Sequence, residues 1–468
     1  MSEGERAAKT GSRQKFLVLG VFMLIMIGLG ISDSNRGVFS GIFERDLALT
    51  KPQVSMIVTV SYVGNLLFML FGSRAADKMD KKKACMGILG LWVLAQALFF
   101  CTDNYICLLI GMFISMGAST LMNTMMNILS PYFFGVMAGL YVNVLFFVQG
   151  IGTSGNQKLT GTLAGSYGDY RLVCGGVGIL GLVCLVILGF VRFEGQGIRK
   201  ESAGKEFPKR ETSEKEFTKK EAPDNDAVEE NVIESKAIEV EAHVNKVVSE
   251  KSVRINAVDP VSSESVGNKV VSKESDGNKG NMRGMGGAVI AMGLVFGFYF
   301  IAEHGIMNWW AMYCSQGLAL DNSKASTSVS LFFGTMTLGR LVLAPLVQRL
   351  GSRRSIVILG GLGSAVYILG VLLGGNGVWL LGFSGIFISI VYPTIVLFLQ
   401  ELFPKEVITT ATGAVISVGT LFDIGFNAVF GSLVEAAGFG VCRVIFPVAI
   451  LIFYVGFLGM LRMRKKQF

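Results

Sequence analysis

The chain has 468 residues, of which 51% are hydrophobic and only 16% charged, and its net charge is +8. A soluble domain carries about 25% charged residues, so most of this sequence belongs in a solvent that rejects charge. The basic excess is not a nucleic-acid footprint, because the cations sit in short clusters between apolar runs, which is the pattern of membrane topology.

A bilayer core about 30 Å thick needs roughly 20 mostly apolar residues per spanning helix. In chain order such runs are Phe16–Ser32, Val54–Gly72, Ala84–Cys101, Ile106–Leu129, Phe133–Gly152 and Leu172–Val191. After a polar stretch come Gly287–Ala311, Ala325–Val347, Ser355–Gly374, Val378–Leu399, Ile408–Leu433 and Val444–Leu461. The runs are continuous rather than alternating, which excludes a transmembrane barrel. The expected fold is an all-α membrane protein of twelve spans. The first run exceeds the core of a signal peptide and no small-residue cleavage site follows it, so it reads as a span.

Lysine and arginine set the orientation. They gather in the tail before the first span (Arg6, Lys9, Arg13, Lys15), after the second (Arg74, Lys78, Lys81, Lys82, Lys83), after the eighth (Arg349, Arg353, Arg354) and after the twelfth (Arg462, Arg464, Lys465, Lys466). The alternate connections hold only scattered cations. Both termini and the central stretch are expected in the cytoplasm, in a multi-pass protein of the plasma membrane.

The expected organisation is a six-helix bundle over residues 1–193, a linker over 194–285 and a second six-helix bundle over 286–468. The linker repeats itself: Lys205-Glu206-Phe207 recurs as Lys215-Glu216-Phe217, and Lys246-Val247-Val248-Ser249 as Lys269-Val270-Val271-Ser272. Such a composition buries too little apolar area to offset the entropy of ordering it. It reads as a disordered cytoplasmic loop, with a regulatory tail as the sharper alternative. The seven cysteines form no C-x-x-C pair, and only His304 of the two histidines lies in a span, so no zinc-type cluster can be assembled. Neither a P-loop nor a G-x-S-x-G elbow occurs. No cofactor, no metal and no enzymatic activity are expected.

The connection after the second span reads Gly72-Ser-Arg-Ala-Ala-Asp77-Lys78-Met79-Asp80-Lys81-Lys82-Lys83. It resembles the signature loop of the major facilitator superfamily, with Ser73 and Asp80 where the family usually has glycine. The equivalent connection of the second half, Gln348-Arg349-Leu350-Gly351-Ser352-Arg353-Arg354, keeps the glycine and the bases but carries Gln348 in place of the aspartate. Related loops at the same place in two six-span halves indicate an internal repeat. Around the seventh and eighth spans, Tyr299 to Tyr313 and Gly334 to Arg340, together with Tyr392-Pro393-Thr394-Ile395, resemble the branch containing proton-coupled fucose, galactose and glucose permeases. The resemblance implies a two-bundle facilitator fold and uptake of a sugar or sugar-like solute with protons by a monomer. Asp77, Lys78, Lys81, Lys82, Arg340, Arg349 and Arg353 are the gating candidates; for Asp77 the physical case is an acid at a helix end near a neighbouring helix N-terminus, where the dipole favours negative charge. That branch typically carries a buried acid in the fourth span, where this chain has Asn123.

The residues alone point to candidates because an ionisable group in a span is costly and therefore faces a cavity or a partner. These are Asp33 and Arg36, Glu303 and His304, Arg340, and Asp423. Tyr299, Glu303 and Trp310 are spaced by four and seven, one face of a regular helix. An acid flanked by rings suits a sugar, since ring faces stack on C–H surfaces and a carboxylate accepts hydroxyl protons. Asn308, Asn127, Asn143 and Gln149 complete the substrate-binding candidates, and Asp33, Glu303 and Asp423 the proton-coupling ones. Plainer roles stand beside these: an Asp33–Arg36 pair, Arg340 as a fixed counter-ion, Trp309 and Trp310 as interfacial belt residues, and Asp423 in structural pairing. A facilitator or exporter of another, amphipathic solute is the alternative function, with the many methionines as an adaptable lining.

Overall fold

Five of the spanning helices start where a side chain satisfies their orphan amides. The Thr50 hydroxyl accepts from the Gln53 amide in a reciprocal capping box, with Pro52 in the first turn. Asp80 accepts from Lys83, Asn104 from Ile106 and Cys107, Ser166 from Asp169, and Asp321 from Lys324. The computed structural model describes residues 3–72, 79–191, 276–403 and 407–464. No strand occurs among them.

In chain order the spans are α1 (Glu3–Val38), α2 (Lys51–Leu67), α3 (Lys81–Cys101), α4 (Tyr105–Phe134), α5 (Ala138–Leu163) and α6 (Tyr167–Phe190). The second half holds α7 (Asp276–Gly305), α8 (Asn322–Val342), α9 (Gly361–Leu372), α10 (Val378–Ile388, resumed as Val391–Leu402), α11 (Ile408–Cys442) and α12 (Ile445–Arg464). Short helices Ser40–Asp46 and Ala344–Leu350 follow α1 and α8; the second departs at 55° where Pro345 follows Ala344. Twelve helices in two sets of six match the sequence pattern.

Among the described residues, ten helices are long and apolar enough to cross a membrane, or eleven with the bent α8 pair. The remaining one is α5, which also corrects a boundary. The apolar run Phe133–Gly152 predicted its position, but the chain breaks at Gly135, with φ of 55°, and α5 runs on to Leu163. Its second half is polar because it faces protein rather than lipid. Asn156 donates to the Ile31 carbonyl, Ser34 and Asn35 of α1, and Lys158 to Ser323 and Thr327 in the first turns of α8.

Nearly all of the expected linker, and with it the repeats, lies outside the described residues; at its end α7 already begins at Asp276. Asp77 and Lys78 lie outside them too.

The two halves meet along α5 with α8 and α2 with α11, and where α1 ends against the end of α7. Glycines permit the closest approaches. A Cβ on Gly37 would lie within van der Waals radii of the Met307 carbonyl, and one on Gly431 would strike that of Lys51. The hydrogen bonds crossing between the halves, among the described residues, run from the connection after α1 to about mid-helix. Asn127, Asn143 and Arg340, nearer the face that carries the start of α1, are exposed.

Candidate functional site

The end of α7 departs from regular geometry. Ile306–Trp310 and Tyr313–Gly317 are π-helical turns, which widen the helix and rotate the residues beyond. The spacing that placed Trp310 with Tyr299 and Glu303 presumed regular turns. No hydrogen bond or ring contact joins Trp310 to either. Its indole donates to Ser328 of α8 at 2.9 Å and its ring lies 5.0 Å from that of Tyr313, fully buried. Tyr299 is also buried, against Phe296 and Phe453, one turn before Glu303. Glu303 itself is half-buried.

The same π turn delivers Asn308 to the first half. Asn308 is buried and its Oδ1 accepts from Arg36 Nε at 2.9 Å, while its Nδ2 donates to the Tyr62 hydroxyl at 3.1 Å. Arg36 is 3% exposed. Its guanidinium also reaches Tyr62 at 3.2 Å, lies 4.8 Å over that ring, and touches the sulfurs of Met116 and Met307. Among the described residues it makes no ion pair. Asp33, one turn back, instead accepts from Ser119 of α4 at 2.8 Å, and its Oδ1 is buried without a partner. The two charges thus share a helix face without bonding each other.

On the second half, His304 Nδ1 lies 2.7 Å from Asp423 Oδ2, with Asp423 1% exposed. The imidazole stacks on Phe300 at 5.2 Å and, across the interface, on Tyr62 at 4.9 Å. Asn427, one turn along α11, donates to Asp423 at 3.0 Å and accepts from the Trp309 indole at 3.2 Å. Its carbonyl receives the Ser55 hydroxyl of α2. A continuous polar layer therefore runs from α1 and α4 through Tyr62 to α7 and α11.

Buried groups of this kind persist in a low-dielectric interior only when satisfied or functional. A mid-span layer shared by two bundles, holding three acids, a guanidinium and an imidazole, can bind a polar solute and carry a proton. The Major Facilitator Superfamily pattern matches residues 18–425.

The chain belongs to the major facilitator superfamily.

It is thus a transporter rather than an enzyme. The facilitator resembles the crystal structure of a D-xylose–proton symporter at 12% identity, with a TM-score of 0.61 over 94% of this chain and 97% of that one. It resembles the nucleoside transporter NupG at 12% identity and 0.63, over 96% and 99%. FucP, in the outward conformation, gives 13% and 0.53, over 95% and 98%. At these identities the likeness is one of fold. No curated protein sequence matches the chain.

Beyond this layer the facilitator is tied together near the connection after α1. Lys51 bonds Glu44 at 2.5 Å and Gln316 at 3.3 Å, and Gln316 bonds Glu44 at 2.6 Å. Thr162 meets Ser326 at 3.1 Å. None of Lys51, Glu44, Gln316, Tyr62, Ser55 or Ser119 stood out in the sequence; hydroxyls and helix-end charges are too common to signal themselves. In the sequence Lys158 counted only as a scattered cation beyond the run Phe133–Gly152; the structure places it inside α5.

The remaining candidates sit elsewhere. Asn127 is exposed and donates to the Asn123 carbonyl one turn back; Asn143 is exposed and Gln149 half-buried on α5. Arg340 is exposed, its guanidinium 3.7 Å from the Met336 sulfur. Lys81 opens α3, and Lys82 donates to the Gly189 and Val191 carbonyls at the end of α6, where the helix dipole favours a cation. Arg349 lies in the last turn of Ala344–Leu350. Arg353 lies 3.7 Å from Glu401, which also accepts from Ser352 at 2.6 Å. Lys82 and Arg353 are thus engaged within their own halves.

Proposed function

We propose that this facilitator carries a small, polar, sugar-like solute by alternating access and couples its movement to protons. In this reading it acts as a monomer in the plasma membrane, with both termini and residues 194–285 in the cytoplasm. The observation that supports it is the polar layer joining Asp33, Arg36 and Tyr62 to His304, Asn308 and Asp423 at mid-helix. That is where facilitators bind solute, between their repeats.

Glu303, half-buried one turn from Tyr299, is the proposed acceptor for solute hydroxyls. Asp33, Glu303 and Asp423 are the proton-coupling candidates. The gating set, Asp77 and Lys78 with Lys81, Lys82, Arg340, Arg349 and Arg353, would engage across the halves when the face carrying the termini closes. The fold likeness to the xylose–proton symporter and to FucP favours a sugar; the likeness to a nucleoside transporter keeps other polar solutes in play. A second reading, an amphipathic solute moved without protons, draws on the Met116 and Met307 sulfurs against Arg36.

Purified protein in proteoliposomes separates them. Radiolabelled monosaccharides should accumulate when an inward pH gradient is imposed and collapse with a protonophore. Accumulation of no sugar in the panel, with gradient-independent movement of an amphipathic compound, would favour the second reading.

A further inference from the structure

The His304–Asp423 pair is the point from which contacts between the halves radiate. One route leads through the imidazole to the Tyr62 ring, whose hydroxyl is bonded by Arg36 and Asn308. The other leads from Asp423 to Asn427, whose carbonyl holds Ser55, and the Ser55 hydroxyl in turn accepts from the Gly431 amide at 3.1 Å. Both routes cross between α7 or α11 and α1 or α2, the contacts that close the face near the connection after α1. The pair itself touches neither Lys51 nor Lys158; it sits beneath them.

We propose that His304 and Asp423 form a proton-operated latch: a proton held by the pair closes the face bounded by the connection after α1, and its departure opens that face. This rests on the proton-coupled reading above and assigns the coupling to one pair and its two cross-half routes.

The charge balance gives the direction. With imidazole neutral and carboxylate ionised, the pair carries −1. One proton, taken from water while the face bounded by the connection after α1 is open, converts it to imidazolium and carboxylate with net zero. Burying a net charge between two bundles is far costlier than burying a neutral pair. An imidazolium is also attracted by the face of the Tyr62 ring it stacks on, whereas a neutral imidazole gains only contact. Closure against Tyr62 and Ser55 therefore favours the proton-loaded pair. Release of the proton towards the other face leaves −1 at the interface and favours parting of the halves. The other groups that act on the pair are Arg36 from α1, Tyr62 from α2 and Glu303 beside His304 on α7. The Arg36 guanidinium, whose partners Asn308 and Tyr62 are neutral, works against an imidazolium on the pair, whereas the Glu303 carboxylate on the same half favours one. Asp33 lies one turn along α1 and is bonded to Ser119.

The test needs no substrate. Spin labels on Asp103→Cys and Asn376→Cys, in a Cys101→Ser, Cys107→Ser background, span the closing face on its exposed connections. Their distance distribution is read across about pH 5–8, where an imidazole changes charge. The full chain should favour the short distance at low pH, with the closed-to-open ratio changing by up to about tenfold per pH unit for one proton. Asp423→Asn, neutral without a proton, should hold the short distance at every pH. His304→Gln, which leaves an aspartate charge it cannot neutralise, should hold the long one. Should Asp423→Asn fail to fold, His304→Lys replaces it, its fixed positive charge favouring the short distance.

Variants shifting in opposite directions support the latch; a structural role would move both the same way. A pH response retained by the variants, a shift of both in one direction, or no pH response in the full chain overturns it. Failure here leaves gradient-driven sugar accumulation untouched, so the two readings fall separately.

Discussion

Gly37 offers the sharpest test of how the halves close. A Cβ built there would meet the Met307 carbonyl oxygen at 1.9 Å and its carbon at 3.0 Å. A carbon–oxygen contact needs about 3.3 Å, so in Gly37→Ala the end of α1 and the π turn of α7 must part by about 1.4 Å. Both contacted atoms are backbone and no rotamer can relieve them. The same displacement stretches the 2.9 Å bond between Arg36 and Asn308 beyond hydrogen-bonding range. Overpacking of this kind costs about 1–3 kcal/mol, which shifts a two-state balance about 5- to 150-fold. The clash exists only while the halves are closed here, so the variant should fold and favour the long distance between labels at 103 and 376. Gly431→Ala, with its Cβ 2.3 Å from the Lys51 carbonyl, should shift the balance the same way. Gly176→Ala on α6, where the added carbon meets nothing within 4 Å, should not. An unchanged closed population in Gly37→Ala would refute this account of the closure.

The other expectations are smaller or more local. The half-exposed Lys51–Glu44–Gln316 tie should contribute under about 1 kcal/mol, so Lys51→Ala should lower the closed population a few-fold, an effect that shrinks in about 1 M salt; an effect of tenfold or more in Lys51→Ala would show that the tie carries the closure. Asn308→Leu removes the acceptor that holds buried Arg36 and should destabilise the protein by about 1.5–3 kcal/mol, read as a lower apparent Tm in detergent; an unchanged Tm would mean the methionine sulfurs and Tyr62 suffice. Asp46 is held below the usual carboxylate range by the Arg45 guanidinium and the Tyr167 amide. With its folded value depressed, its contribution is full above about pH 4 and is lost as pH falls through the folded value. Hydrogen exchange at Tyr167, corrected for intrinsic rates, should be flat over about pH 5–8 and lose protection only in acid. Loss of protection within the neutral window would mean this connection contributes to a pH response there.

Twelve spans were readable because lipid-facing helices cannot hide their composition: α6 has a mean hydropathy of 2.7 and α3 of 2.0 over their most apolar windows. Helix α5 resisted because hydropathy counts residues without regard to the face they occupy. Asn156, Gln157 and Lys158 look like the end of a span, and the predicted window slid toward Phe133 to avoid them. In the structure Asn156 points at α1 and Lys158 at α8, where hydrogen bonds to Asn35 and Thr327 replace water. A helix with protein on two sides tolerates polarity that a lipid-facing one does not.

The site divides along the same line. Asp33, His304 and Asp423 stood out because charge in an apolar run is expensive wherever it points. Tyr62 did not, although it touches His304, Arg36 and Asn308, because a tyrosine in a span costs little and its role comes from α2 meeting α7. Trp310 was misplaced for a different reason: the π turn Ile306–Trp310 lies between it and Glu303, and no spacing rule for regular helices anticipates an inserted residue. That irregularity also turns Asn308 toward Arg36. The feature that spoiled the sequence argument for Trp310 is therefore the one that carries α7 into contact with the first half. A π turn persists because other contacts offset its weaker hydrogen bonding; Trp309 and Trp310 make theirs within the second half, whereas the Arg36–Asn308 contact exists only while the halves are closed. The end of α7 is thus the element best placed to convert a change at His304, two residues before the turn begins, into the presence or absence of the Arg36–Asn308 contact.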